Sequence, residues 1–410
     1  MKFCQLKEQE FREFLNSHPQ KTFLQTPEIA QIREKSGWKK YYVGVKENDT
    51  IICATMMLSA GNFFRKKVFY APRGVLIDYE NETLLIFFFK ELKKFIKKNQ
   101  GYVFKMDPYV ELIERNVDGN IIENGFNHTN IVTHLQNIGF LKTKSEQANL
   151  MFVLDINGKS YEDLKKDFRS STRNMLNKVL KSNIKIRELE YDELHLFKKL
   201  TEETSERKHF GDKSLSYYQS MYQLFKPLNL IKYLIAELPI EEYIAHLEEE
   251  KNSILNKLNL PIEERANSKK IKEYETSLTN IEKKSKEIKK IQSEEGNILI
   301  LSSGMFLLYG DEIIYLCSGN YKKYMNFNAQ YLIQWEMINY AVNHNYKRYN
   351  FYGITEFKDK HHKDYGMYDF KKGFNGRVVE LIGGFELPIT KHYYLHKLLS
   401  SIKNIGKGNH

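Results

Sequence analysis

Short apolar segments bounded by turn residues open the chain. Tyr41–Val45 and Ile51–Leu58 read as β-strands around Glu47-Asn48-Asp49, which supplies turn chemistry. Val68–Tyr70 is a third strand. Apolar positions in Leu84–Lys98 recur on one face and predict an amphipathic helix. Tyr102–Met106 is a short buried strand that stops at Asp107-Pro108. Strands and helices interleave here as they do in an α/β fold.

A second, similar series begins near Met151. Met151–Asp155 predicts a strand, Tyr161–Ser182 a basic amphipathic helix, Ile184–Glu188 a strand and Glu193–Lys208 a helix. Tyr233–Leu238, Ile298–Leu308 and Ile313–Cys317 follow as strands, then a helix from about Asn328 to His344 and a closing strand, Arg348–Tyr352. Two such rounds predict two related domains, 1–150 and 151–383, of mixed α/β (α+β) class. The repetition lies in the order of elements and not in residue identity.

Residues 241–295 are different, being dominated by Glu, Lys, Asn and Ser. Ile244, Leu247, Ile254 and Leu258 fall at a and d positions, with Lys251 the polar exception. After Pro261 a second set runs through Ile271, Tyr274, Leu278, Ile281, Ser285 and Ile288. The 3–4 spacing places each set on one helix face and the proline separates them. The pattern predicts an antiparallel coiled-coil hairpin inserted in the second domain, either a stabilising arm or an RNA-contacting one.

Composition narrows the class. The chain has 410 residues, 41% of them apolar and 13% aromatic, enough for real cores in more than one domain. Its net charge is +11, which favours an anionic partner such as nucleic acid, a phosphorylated substrate or anionic lipid. Cys4, Cys53 and Cys317 are scattered and odd in number, so neither a disulfide framework nor a zinc site is expected. Met1–Gln20 lacks the apolar core of a signal peptide. The run Leu84–Phe89 falls far short of the ~20 residues that span a bilayer. A cytoplasmic protein able to touch a membrane surface is the expectation.

Common catalytic motifs are missing: no Walker loop, GxGxxG, GxSxG or HExxH is present. His361 and His362 are adjacent and point different ways, so no metal is expected there. The order of elements in each half resembles the GNAT acyltransferase fold. Its coenzyme A loop, [Q/R]-x-x-G-x-[G/A], is not found in Ser318–Tyr324, which follows the strand Ile313–Cys317. The acyl donor should therefore be something else.

The resemblance sharpens in several blocks. Gln334–Ala341, Arg348–Gly353, Phe370–Asn375 and Glu380–Phe385 resemble the FemABX family of peptidoglycan bridge-building aminoacyltransferases. Arg73–Asn81 and Met106–Tyr109 resemble the same family in the first half, with Val75 standing where the family usually has Pro. These blocks run in order along nearly the whole chain. The resemblance implies two GNAT-like domains, the first completed by residues 384–410 and the helical arm inserted in the second. It implies transfer of Gly, Ala or Ser from aminoacyl-tRNA onto a stem-peptide amine of lipid II or UDP-MurNAc-pentapeptide. It implies no metal and no small-molecule cofactor, a place at the inner face of the membrane, and association with related transferases or a second copy.

An amine attacking an ester needs its proton accepted and the oxyanion countered. The family resemblance assigns charge stabilisation to Lys371 and orientation or deprotonation of the amine to Asp107. It assigns acceptor binding to Arg33, Tyr102, Lys213 and Tyr217, the two basic residues facing the diphosphate. Arg33 stands where Lys is common and Lys213 where Arg can occur, which exchanges a forked for a point contact. Cys317 stands where a relative has a binding tyrosine. The basic helix near Lys165, Lys166, Arg169, Arg173, Lys178 and Lys181 is either a solvated face or a tRNA contact, with Arg169, Arg173 and Lys178 the candidates for the latter. The same chemistry could serve immunity against a bacteriocin that cuts the bridge. A non-catalytic RNA-binding or coiled-coil scaffold, and a CoA-dependent acetyltransferase, are the rivals from other classes.

Overall fold

Asn48 and Asp49 adopt left-handed conformations, φ 48° and 63°, and so form the tight turn expected between the first long strands. That turn sets an antiparallel register with Val43 opposite Thr55. The computed structural model describes residues 1–259, 268–355, 357, 359–362 and 365–405. Elements are numbered along the chain.

The first sheet contains β1 (Lys2–Gln5), β2 (Lys39–Glu47), β3 (Thr50–Phe63), β4 (Lys66–Ala71), β5 (Gly101–Met106), β7 (Leu141–Thr143) and β15 (Gly384–Pro388). Their order is β1-β2-β3-β4-β5-β15-β7. The second contains β6 (Glu111–Ile113), β8 (Leu150–Asp155), β9 (Lys185–Glu188), β10 (Ile231–Pro239), β11 (Ile298–Tyr309), β12 (Glu312–Asn320), β13 (Arg348–Gly353) and β14 (Arg377–Leu381). Its order is β6-β14-β8-β13-β12-β11-β10-β9. Glu111–Ile113 thus lies inside the expected first domain in sequence, yet it pairs with β14 at the edge of the second sheet.

In the first half the helices are α1 (Glu8–Ser17), α2 (Pro27–Lys35), α3 (Glu82–Lys98) and α4 (Thr129–Asn137). The second half has α5 (Tyr161–Asp167), α6 (Ser170–Val179), α7 (Leu194–Lys208), α8 (Leu215–Phe225), α9 (Ile240–Leu258), α10 (Ser268–Glu295), α11 (Ala329–Asn343) and α12 (Tyr365–Lys372). The last helix, α13 (His392–Ile405), returns to the first sheet beside β5.

One apolar cluster joins the halves. Phe11, Ile29 and Met56 from the first pack with Phe197, Tyr218 and Met305 from the second. Gly319 lets α7 seat on β12, because a Cβ there would lie 2.3 Å from the Leu200 carbonyl carbon.

The single helix expected over Tyr161–Ser182 is in fact two. Phe168 and Arg169 are extended, with ψ 149° and 143°. The Phe168 ring is buried 5.1 Å from that of Phe374, and the Arg169 N–H donates to the Gly373 carbonyl at 2.9 Å. Packing against the segment after α12 thus overrides the helical periodicity.

Where the arm was expected, α9 and α10 pack through Leu247, Ile254, Ile281 and Ile288, all buried. Lys251 pairs with Glu282 at 3.0 Å and Glu248 with Lys289 at 4.0 Å, so partner numbers fall as the chain advances and the helices run antiparallel. The break expected at Pro261 lies outside the described residues.

Candidate active site between the sheets

Each sheet has a parallel pair, and the two pairs differ. β4 and β5, after a register shift between Lys67 and Val68, pair without interruption from Val68 and Val103 to Ala71 and Met106. β12 and β13 pair from Glu312 and Arg348 only as far as Ile314 and Asn350. Beyond that point the ladder of β13 is irregular between Asn350 and Gly353, and Tyr352 takes a left-handed φ of 62°. Irregularities of this kind re-aim side chains and often stand beside active sites. Asn350 holds the distortion: its Oδ1 accepts the Tyr352 N–H at 2.8 Å, while its Nδ2 donates to Glu312 and Tyr109, each at 3.2 Å.

Loops from both sheets meet at this distortion. Asp107, just past β5, is 1% exposed. Its carboxylate accepts the Arg73 and Gln147 N–H groups, both at 2.9 Å, and the Tyr70 hydroxyl at 3.0 Å. Burial raises its pKa, opposed by the neighbouring Arg73 and these donors. Arg73 is itself buried, bonded to the Ala148 carbonyl and stacked 5.7 Å over the Tyr109 ring, and its Nη1 has no hydrogen-bond partner among the described residues. Tyr352 lies beside it: burial raises the phenol's pKa, and Arg73 pulls the other way.

Lys371, on α12, approaches the same loop. It is 4% exposed and its Nζ donates to the Gly353 carbonyl at 2.6 Å. Burial alone lowers its pKa to about 7, and among the described residues no carboxylate pairs with it. An amine in this state switches charge near neutrality, and a negative charge developing beside it would favour the ammonium form.

Arg33, Lys213 and Tyr217 gather where α2 meets α8. Ser214 caps α8 by accepting the Tyr217 N–H at 3.3 Å. Lys213 therefore stands just before the helix, exposed, with its Nζ 5.8 Å over the Tyr217 ring. Burial pushes the Tyr217 phenol up to about 12, with Cys317, Arg33 and Tyr352 all near enough to act on it. Tyr352 consequently links the basic end to Arg73 and Asp107. Cys317 is half-buried here, and desolvation pushes its thiol up to about 12, with its Sγ 3.9 Å from the Met305 sulfur.

Tyr102 is not brought to this place. It lies near the start of β5, five residues or ~16 Å of extended chain from Asp107. Its ring lies 5.7 Å from Phe63 and 5.5 Å from His396, under α13. Two of the three residues considered for tRNA contact have partners within the chain at the half-exposed surface: Arg169 pairs with Asp369 at 2.8 Å, and Arg173 donates to the Lys166 carbonyl at 2.7 Å. Lys178 is exposed.

Sequence reasoning did not single out Arg73 or Tyr352. Both stood within resembling blocks, Arg73–Asn81 and Arg348–Gly353, but nothing local marks an arginine as buried or a tyrosine as left-handed.

Comparison with known proteins supplies an independent reading. Residues 6–401 match the FemAB family. The aminoacyltransferase FemA of Staphylococcus aureus is 35% identical over 409 residues, covering 96% of this chain and 97% of that protein. Among solved structures, FemX superposes with a TM-score of 0.76 at 22% identity, covering 96% of this chain and 99% of that one. A tandem GNAT protein from the clavulanic acid biosynthesis pathway superposes with a TM-score of 0.50 at 6% identity, covering 95% and 98%. The two-sheet architecture is thus that of FemX and of tandem GNAT proteins.

Proposed function

The chain belongs to the FemAB family and is an acyltransferase, and from that premise we propose that it moves an aminoacyl group from tRNA onto a stem-peptide amine of a peptidoglycan precursor. The donor is aminoacyl-tRNA carrying Gly, Ala or Ser. The acceptor is lipid II or UDP-MurNAc-pentapeptide, met at the inner face of the membrane.

The observation that carries this reading is Lys371, a buried amine at a distorted strand end shared by both halves. In the proposed reaction the acceptor nitrogen attacks the ester carbonyl, and the C–O bond to the tRNA ribose breaks. The ribose hydroxyl leaves with the proton given up by the amine. Lys371 as an ammonium counters the transient oxyanion. Asp107 serves as a positioning group, since its oxygens already accept three internal donors and hold the Arg73 loop. Arg33, Lys213 and Tyr217 receive the acceptor diphosphate from the other end.

Coenzyme A is disfavoured as donor. At the end of β12 the Asn320 N–H is taken by the Thr204 hydroxyl at 2.9 Å, and just beyond it the Lys322 N–H by the Glu203 carboxylate at 2.7 Å. A pyrophosphate would have to displace a hydroxyl from the first N–H and a carboxylate from the second.

The test is a transfer assay with tRNA charged with labelled glycine, alanine or serine, and with either precursor. Labelled precursor is expected from one pairing, and Lys371→Ala should lower transfer by roughly a hundredfold or more while acceptor binding survives. Absence of transfer from every charged tRNA onto either precursor would remove the reading.

A further inference from the structure

A surface helix ordinarily turns its apolar stripe toward the core. The last helix, α13, keeps only a narrow inward side: Tyr393, whose hydroxyl donates to Glu386 at 2.8 Å, and His396, whose ring lies 4.8 Å from Phe63. Tyr394, Leu398 and Ile402 face outward with 62%, 59% and 57% of their surfaces exposed. Leu395 and Leu399 are exposed as well. Positions 394, 398 and 402 form one row at four-residue spacing and 395 and 399 the adjoining row, so the five make one continuous stripe. Phe64, at the tip of the β3–β4 hairpin, extends it: Phe64 is 63% exposed and packs on Phe63, the residue that touches His396.

The two segments that form this face carry charge of one sign. The segments Phe63–Lys67 and Lys391–Ile402 contain Arg65, Lys66, Lys67, Lys391 and Lys397 and no Asp or Glu. Lys397 pairs with Glu386, which is buried beneath the helix. An apolar stripe rimmed by cations fits a surface that is greasy beneath and anionic above. A second copy fits poorly, because a two-fold contact would press this cationic rim against itself. No described helix is long and apolar enough to cross a membrane, so the geometry suits lying on a bilayer.

We propose that α13 and the β3–β4 tip form a docking face for an anionic phospholipid bilayer, with the helix lying among the headgroups. The inference stands on this face and not on the transfer reaction.

Sedimentation of the full chain with vesicles tests it, with no tRNA or precursor present, so that failure here leaves the transfer reading untouched. Binding is expected to vesicles of mixed phosphatidylglycerol and phosphatidylcholine, weakly or not at all to phosphatidylcholine alone, and to weaken at high salt. Leu398→Asp combined with Ile402→Asp should lower the bound fraction roughly tenfold or more with an unchanged thermal midpoint, since both side chains are exposed. Arg65→Glu with Lys66→Glu, which leaves the stripe intact, should weaken binding to the anionic vesicles only. Wild-type protein remaining in the supernatant, equal binding to both vesicle types, or undiminished binding by both variants would overturn the proposal. So would a dimer in light scattering that Leu398→Asp with Ile402→Asp converts to monomer, which would assign the face to a second copy.

Discussion

The Nζ of Lys371 lies 2.6 Å from the carbonyl oxygen of Gly353, the residue that follows the left-handed Tyr352. A lysine on α12 is thereby fixed to the irregular end of β13, and both are tied to the first sheet through Arg73 and Asp107.

Burial moves the lysine from 10.5 to about 7, and this displacement fixes a stability prediction. Below about pH 7 the folded chain carries a buried ammonium and the cost is fully present. Between about 7 and 10.5 the unfolded chain binds the extra proton, so stability rises with pH. Lys371→Met should therefore stabilise the fold at pH 6, by no more than about 5 kcal/mol, and the gain should shrink toward pH 10. Urea midpoints at the two pH values check this; a gain independent of pH would show that the amine's charge is not what burial penalises.

Asp107→Asn replaces one acceptor oxygen by a donor, while Arg73 and Gln147 still present N–H groups to the site. One buried N–H should lose its partner at a cost of about 1–3 kcal/mol. Stability and transfer should fall together. Loss of transfer at unchanged stability would point instead to direct proton abstraction by the carboxylate.

Arg33 and Lys213 flank Tyr217, which lies near Tyr352. Arg33→Ala or Lys213→Ala is expected to raise KM for the acceptor roughly tenfold, with kcat little changed, if each makes one charge-assisted contact. A fall in kcat at constant KM would move these residues out of acceptor binding.

Asp369 pairs with Arg169 two residues before Lys371. The pair is partly solvated and contributes little to global stability, yet it steadies the helix that carries the lysine. Asp369→Asn and Arg169→Gln should each lower kcat several-fold and should not add in the double variant. A silent Asp369→Asn beside a damaging Arg169→Gln would return Arg169 to the tRNA.

Much of the architecture was legible in the amino-acid order. The Asn48-Asp49 turn, the strand ending at Asp107-Pro108 and the apolar rows of α9 and α10 follow from local chemistry, because turn residues and side-chain periodicity act within a few positions. The break at Phe168 was not legible, since it is imposed by Gly373 and Phe374 some two hundred residues away. Tyr102 lies in β5 and Asp107 just past its end; they were read as partners in function, but the pitch of an extended chain carries them apart.

The sequence alone determined the longer strands and helices that it named, such as Thr50–Phe63, Glu82–Lys98 and Ala329–Asn343, and the block containing Lys371, because these depend on short-range pattern. Tertiary structure decided that Arg73 is buried beside Tyr352, that Tyr109 reaches Glu312 across 203 positions, and that β12 and β13 part where they do. Such meetings depend on how two sheets pack through a shared core, and no local run of residues encodes the place where distant loops converge.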